Sequence, residues 1–149
     1  MQIKQINKDI TINAPALTVW HHLTNDASVR QWYNEFSEGA YADTDWKPGS
    51  SVRFVDATDC GIFGHVVAAD PGKLLSVELD GFITNRVEDT ESDGAKAVKG
   101  GRETYTLTET NGATHLAIST AMGEDWYDSM VQAWDRALSK LKTMAEAKA

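Results

Sequence analysis

The last quarter of the chain constrains the fold most. Between Asp125 and Ala147 the apolar residues Tyr127, Met130, Val131, Trp134, Leu138, Leu141 and Ala145 recur at steps of 3, 1, 3, 4, 3 and 4. A repeat near 3.6 residues gathers them on one side of a helix. Asp128, Gln132, Asp135, Arg136, Ser139, Lys140, Lys142 and Thr143 fill the other side. A helix this one-sided must lay its apolar stripe on something, and almost everything before it reads as strands.

The first strand is predicted from Ile3 to Asn13, with Ile6, Ile10 and Ile12 on one face. Asn13-Ala14-Pro15 then opens a helix whose buried side is Val19, Trp20 and Leu23. Pro at the first helical position loses no N–H that the helix needs. Asp26 is the expected N-cap of a second short helix reaching Trp32. After the turn Lys47-Pro48-Gly49-Ser50, the strand holding Val52 and Phe54 leads through Asp59-Cys60-Gly61 into another ending near Val67. Asp70-Pro71-Gly72-Lys73 turns the chain again. Leu75, Val77 and Leu79 then alternate with Ser76, Glu78 and Asp80, as in a sheet wetted on one face. Arg102–Thr110 and Thr114–Met122 form the last pair, joined by Asn111-Gly112, a strong hairpin signal. The polar stretch from Gly81 to Gly101 shows no pattern and is predicted as a long loop holding a short helical turn.

Composition narrows the function. With 22 acidic against 14 basic residues the chain carries a formal charge of −8, which repels phosphate and argues against nucleic acid as a partner. The same field argues against an anionic membrane surface, and no apolar run is long enough for membrane insertion. Cys60 is the single cysteine, so no internal disulfide can form, and with no apolar leader the expected location is cytoplasmic. At 149 residues, one domain spanning 1–149 is expected.

Ile12-Asn13-Ala14-Pro15, then Val19-Trp20, Leu23 and Trp32, resemble the opening of the START-like (SRPBCC) superfamily. More narrowly, they resemble bacterial proteins similar to the C-terminal domain of activators of the heat-shock protein 90 ATPase. Pro71 with Leu74, the run Gly112-Ala113-Thr114-His115-Leu116-Ala117-Ile118, and Trp134 with Leu138, Leu141 and Lys142 continue the likeness along nearly the whole chain. The resemblance implies an α+β helix-grip fold of the START and birch-allergen kind. In it a curved antiparallel sheet, here of about six strands by the count above, carries two short helices and a long C-terminal helix across its concave face. Relatives of that fold hold apolar ligands in the concavity. The narrower family brings no invariant catalytic residue to carry over, so the resemblance transfers fold rather than function.

The aromatic residues Trp32, Phe54, Phe63, Tyr105, Tyr127 and Trp134 are candidates to line a cavity in the usual range of about 300–1,000 Å³. They are equally able to fill a solid core, since interiors leave few voids. Leu79 joins the sheet wall, and Met122 and Met130 suit either role because a thioether adapts to irregular packing. Trp32 is expected near the mouth. Among polar residues, Glu103 has the parity of Tyr105 and Leu107, Thr120 that of Ile118, and His65 that of Phe63 unless the glycine-rich strand bulges. Glu103 and His65 are therefore the candidate polar anchors, or an acid and base if burial shifts their pKa values. The plain alternative leaves Glu103 in water at the strand end and has His65 bonding a neighbour.

No metal site is expected. His21 and His22, adjacent on a helix, point about 100° apart and cannot share an ion. Asp89-Thr90-Glu91-Ser92-Asp93-Gly94 imitates the start of a calcium loop but places Gly100 where a bidentate Glu is required. The sequence thus favours a domain that binds a small apolar molecule between sheet and C-terminal helix, with no cofactor. Two rivals stay open: a cyclase- or hydrolase-like enzyme in the same cavity, and a chaperone-associated module that contacts a protein partner.

Overall fold

The computed structural model describes residues 2–147, in the order β1 (Ile3–Ile12), α1 (Ala16–Thr24), α2 (Asp26–Tyr33), β2 (Tyr41–Asp43), β3 (Ser51–Val55), β4 (Gly61–Asp70), β5 (Leu74–Thr84), β6 (Val87–Asp89), α3 (Asp93–Val98), β7 (Arg102–Thr110), β8 (Ala113–Gly123) and α4 (Glu124–Glu146). All strands are antiparallel and form one sheet in the order β1-β8-β7-β5-β4-β3-β2, with β6 pairing on β5. The eight strands exceed the six read from the sequence because β2 and β6, three residues each, are too short to show alternation. The architecture is the expected helix grip.

Each helix end is closed by a different device. Asn25, not Asp26, caps α2, its side chain accepting from the Ser28 N–H at 3.2 Å, while Asp26 sits one residue inside and pairs with Arg30. At the start of α1 the capping residue is Pro15, which has no side-chain oxygen. The Glu109 carboxylate on β7 reaches across instead and accepts from the Ala16 N–H at 2.7 Å. α4 begins without a side-chain cap, but Glu124 and Asp125 place negative charge at its positive end. Its far end is tied to β1, where Glu146 accepts from the Asn13 N–H and Lys142 donates to the Thr11 carbonyl.

The stretch from 81 to 101 holds the expected short helical turn, α3, but much of the rest is strand rather than loop. β5 continues to Thr84, turns through Asn85 and Arg86, both at positive φ, and returns as β6. Asp89 then accepts from the N–H groups of Glu91 and Ser92, and the Ser92 hydroxyl caps α3 at the Ala95 N–H. The acidic run is therefore a turn and a helix start, with Ala95 and Val98 buried beneath it.

The core lies between the concave sheet face and the helices. Ile6, Val52, Val66, Leu75, Val77, Leu116 and Ile118 rise from the strands to meet Val19, Leu23, Val29 and the α4 stripe. Along α4 the two halves differ. Ala137, Leu138 and Leu141 are sealed from solvent, whereas Tyr127 and Met130, nearer its start, are only partly covered. Sheet and helix close tightly at one end and leave room at the other.

Candidate functional site

That room is a cavity of about 240 Å³. Met130 and Trp134 of α4 form one wall. Phe54 of β3, Ile62 of β4, Glu103 and Tyr105 of β7, and Thr120 and Met122 of β8 form the sheet wall. Tyr33 at the end of α2, with Phe36, Ala40 and Tyr41 after it, closes the side. The rings enclose the space in mutual contact: Phe36 meets Trp134 edge-on at 4.8 Å between centroids, Tyr105 lies 6.1 Å from Trp134, and Tyr33 6.2 Å from Phe54.

One carboxyl stands inside this apolar shell. Glu103 Oε2 accepts from the Tyr105 phenol at 2.9 Å, and Oε1 from the Thr120 hydroxyl at 3.3 Å. Its tip reaches the cavity surface, yet what surrounds it has the low polarity of protein interior, so burial pushes its pKa above the usual carboxylate value while the two hydrogen bonds pull back. The phenols of Tyr105 and Tyr33 rise well above their ordinary pKa, first through burial and then through the neighbouring Glu103 charge. At the rim Asp56 behaves in the opposite way. The Thr58 side chain and backbone and the Ser37 hydroxyl all donate to it, and its pKa is lowered. Cys60 also lines the rim, its thiol directed at the Thr58 carbonyl.

Of the residues singled out in the sequence, Phe54, Glu103, Tyr105, Met122, Met130 and Trp134 come together around this space. Trp32 does not. Its indole N–H needs an acceptor and finds the His22 carbonyl at 2.9 Å, which turns the ring into the core behind Trp134 and leaves the wall to Tyr33. Leu79 is core. Tyr127 lies off the cavity, with the Lys4 ammonium 5.1 Å from its ring centre.

Phe63 and His65 lie on the other face of the sheet. The β3–β4 register sets Ile62 opposite Phe54, so Ile62 shares the cavity side, whereas Phe63 lies opposite Arg53 and His65 opposite Ser51. The irregularity expected near here falls on β5, where Asp80 is left without a partner. His65 is held there between Asp80 at 3.0 Å and Glu78 at 3.6 Å, and Arg102 pairs with Glu78 from beyond. Their ligand atoms converge within 4.8 Å of one another, on the face of the sheet away from the cavity. His65 and Glu103 therefore cannot act on one substrate.

The sequence reading missed Tyr33, Phe36 and Ile62. Val29, Tyr33 and Phe36 follow each other at helical steps of four and three, a signal that was available. Ile62 faces the cavity because Val55 pairs with Gly61, a register that the local sequence pattern does not reveal.

Residues 13–146 match the family described as Activator of Hsp90 ATPase homolog 1-like protein. The chain belongs to that family. No curated protein matches it. Among solved structures, protein MLL2253 from Mesorhizobium loti is similar at a TM-score of 0.73 and 18% identity, with 95% of this chain and 96% of that one covered. The Aha1 dimer from Colwellia psychrerythraea is similar at 0.73 and 17%, covering 96% of each chain. CalU16 from Micromonospora echinospora is similar at 0.66 and 17%, covering 97% of this chain and 77% of that one. At these identities the likeness to solved structures concerns the fold, so for this member of the Hsp90-activator-like family the chemistry has to be argued from its own cavity.

Proposed function

We propose that this protein binds a small, mostly apolar molecule in the cavity between the sheet and the first half of α4. The supporting observation is the space beside Trp134: about 240 Å³ bounded by rings and thioethers, in a molecule whose other end is sealed by Ala137, Leu138 and Leu141. Protein interiors pack near a density of 0.75, so an apolar hollow left open beside the core supports this reading. The volume falls just below the range of about 300–1,000 Å³ usual for ligand pockets, so the guest is a compact ring system rather than a long acyl chain. The methionines at the edge let the walls adjust to it.

The test is an NMR titration with benzyl alcohol. Shifts are expected at the methyl groups of Ile62, Met122 and Met130, and Met130→Trp, which fills the space, should abolish them. Shifts scattered over the surface, or insensitive to Met130→Trp, would show that the cavity is not a binding site. No helix among the described residues is long and apolar enough to cross a membrane.

A further inference from the structure

The charges of the cavity are all of one sign. Its lining contains two carboxyl groups, Glu103 at the wall and Asp56 at the rim, and no Lys, Arg or His. Arg30 lies over the outer-lining Tyr41 ring at 4.4 Å, but it is paired with Asp26 and does not line the space. Each Glu103 oxygen receives one hydrogen bond, from Tyr105 or from Thr120. A carboxylate oxygen has two lone pairs, so each keeps one unfilled where the group meets the cavity. A half-buried carboxylate with no cation beside it is costly to keep ionised, and a cationic partner arriving from outside offsets that cost. The rings add to this. Tyr33, Phe36, Tyr105 and Trp134 surround the space, and the face of an aromatic ring attracts a cation.

We infer that the guest is a small amine: an apolar body lodged among the rings, with a protonated nitrogen directed at Glu103. This rests on the cavity being a binding site and adds the chemical class of what it takes. An ammonium offers the donors that the free lone pairs lack and neutralises the charge. A neutral guest of the same shape leaves Glu103 uncompensated, and an anionic one is repelled by both Glu103 and Asp56. Asp56, held ionised by its own donors, draws cations to the entrance. The overall charge of −8 has the same effect at longer range.

Calorimetric titration at neutral pH with benzylamine, benzyl alcohol and benzoate separates the possibilities, because the three differ chiefly in the charge of one group. Benzylamine should bind roughly ten- to a hundred-fold more tightly than benzyl alcohol, the range expected for a hydrogen bond to a charged partner, and benzoate weakest of all. In Glu103→Gln the amine's advantage over the alcohol should fall to about the level of experimental error. If the alcohol binds in the cavity and the amine no better, or if benzoate binds best, the amine inference is overturned while the binding reading stands. If none of the three binds, both are overturned. The wild-type series decides the matter even where the variant folds poorly.

Discussion

Glu103 couples the cavity to the stability of the protein, whatever the cavity holds. Burial raises its pKa in the folded state, whereas in the unfolded chain it titrates near the ordinary value of 4.5. The sign follows from linkage: below 4.5 both states hold the proton and the buried group costs nothing by its charge. As the pH climbs through the higher folded-state value, the unfolded chain gains by ionising and that contribution to stability is lost. Glu103→Gln cannot ionise and keeps an oxygen for Tyr105 or Thr120. Its stability relative to wild type should therefore increase from acid to neutral pH in urea unfolding series, with the other carboxylates cancelling between the two proteins. A difference that stays flat, or narrows with rising pH, contradicts this reading of the site.

Strand β4 shows how backbone contacts position the wall. A Cβ on Gly64 would lie 2.0 Å from the Glu78 carbonyl oxygen, and one on Gly61 would lie 1.7 Å from that of Phe54. Neither neighbour is a movable side-chain tip; both are sheet backbone. Gly64→Ala should therefore cost on the order of 2–3 kcal/mol in chemical denaturation, the upper part of the range for overpacking. Near-wild-type stability would mean that the strand is looser than its register. The same elements explain what could be read in advance. The Asn111-Gly112 turn and the alternation of Leu75, Val77 and Leu79 announced themselves because one local pattern decides each. The β5–β6 hairpin stayed hidden because its turn is Asn85-Arg86, two residues at positive φ where a glycine would have signalled it. α3 is a single short turn with only Ala95 and Val98 to bury. In the site, Ile62 and Phe63 are adjacent and both apolar, so composition alone could not tell which faces inward. That answer lies in the pairing with β3, a relation between segments.

At the scale of the molecule, the helix grip follows from one long amphipathic helix and a meander of strands, both plain in the sequence. The resemblance of Asn13-Ala14-Pro15, Val19-Trp20 and Trp134 to the Hsp90-activator-like family pointed the same way. Whether the grip closes completely was not legible, because it depends on how rings from α2, β3, β7 and α4 share one volume. Ala137 and Leu141 fill their end, while the bulk of Trp134, braced by Phe36 and Tyr105, holds the other end apart. The proposed binding function rests on that open end. It is tested most directly by a crystal structure under xenon pressure, since xenon enters apolar cavities and leaves packed interiors alone. A xenon peak should appear among Phe54, Tyr105, Met130 and Trp134. Continuous side-chain density across that gap, with no xenon in it, would contradict the account.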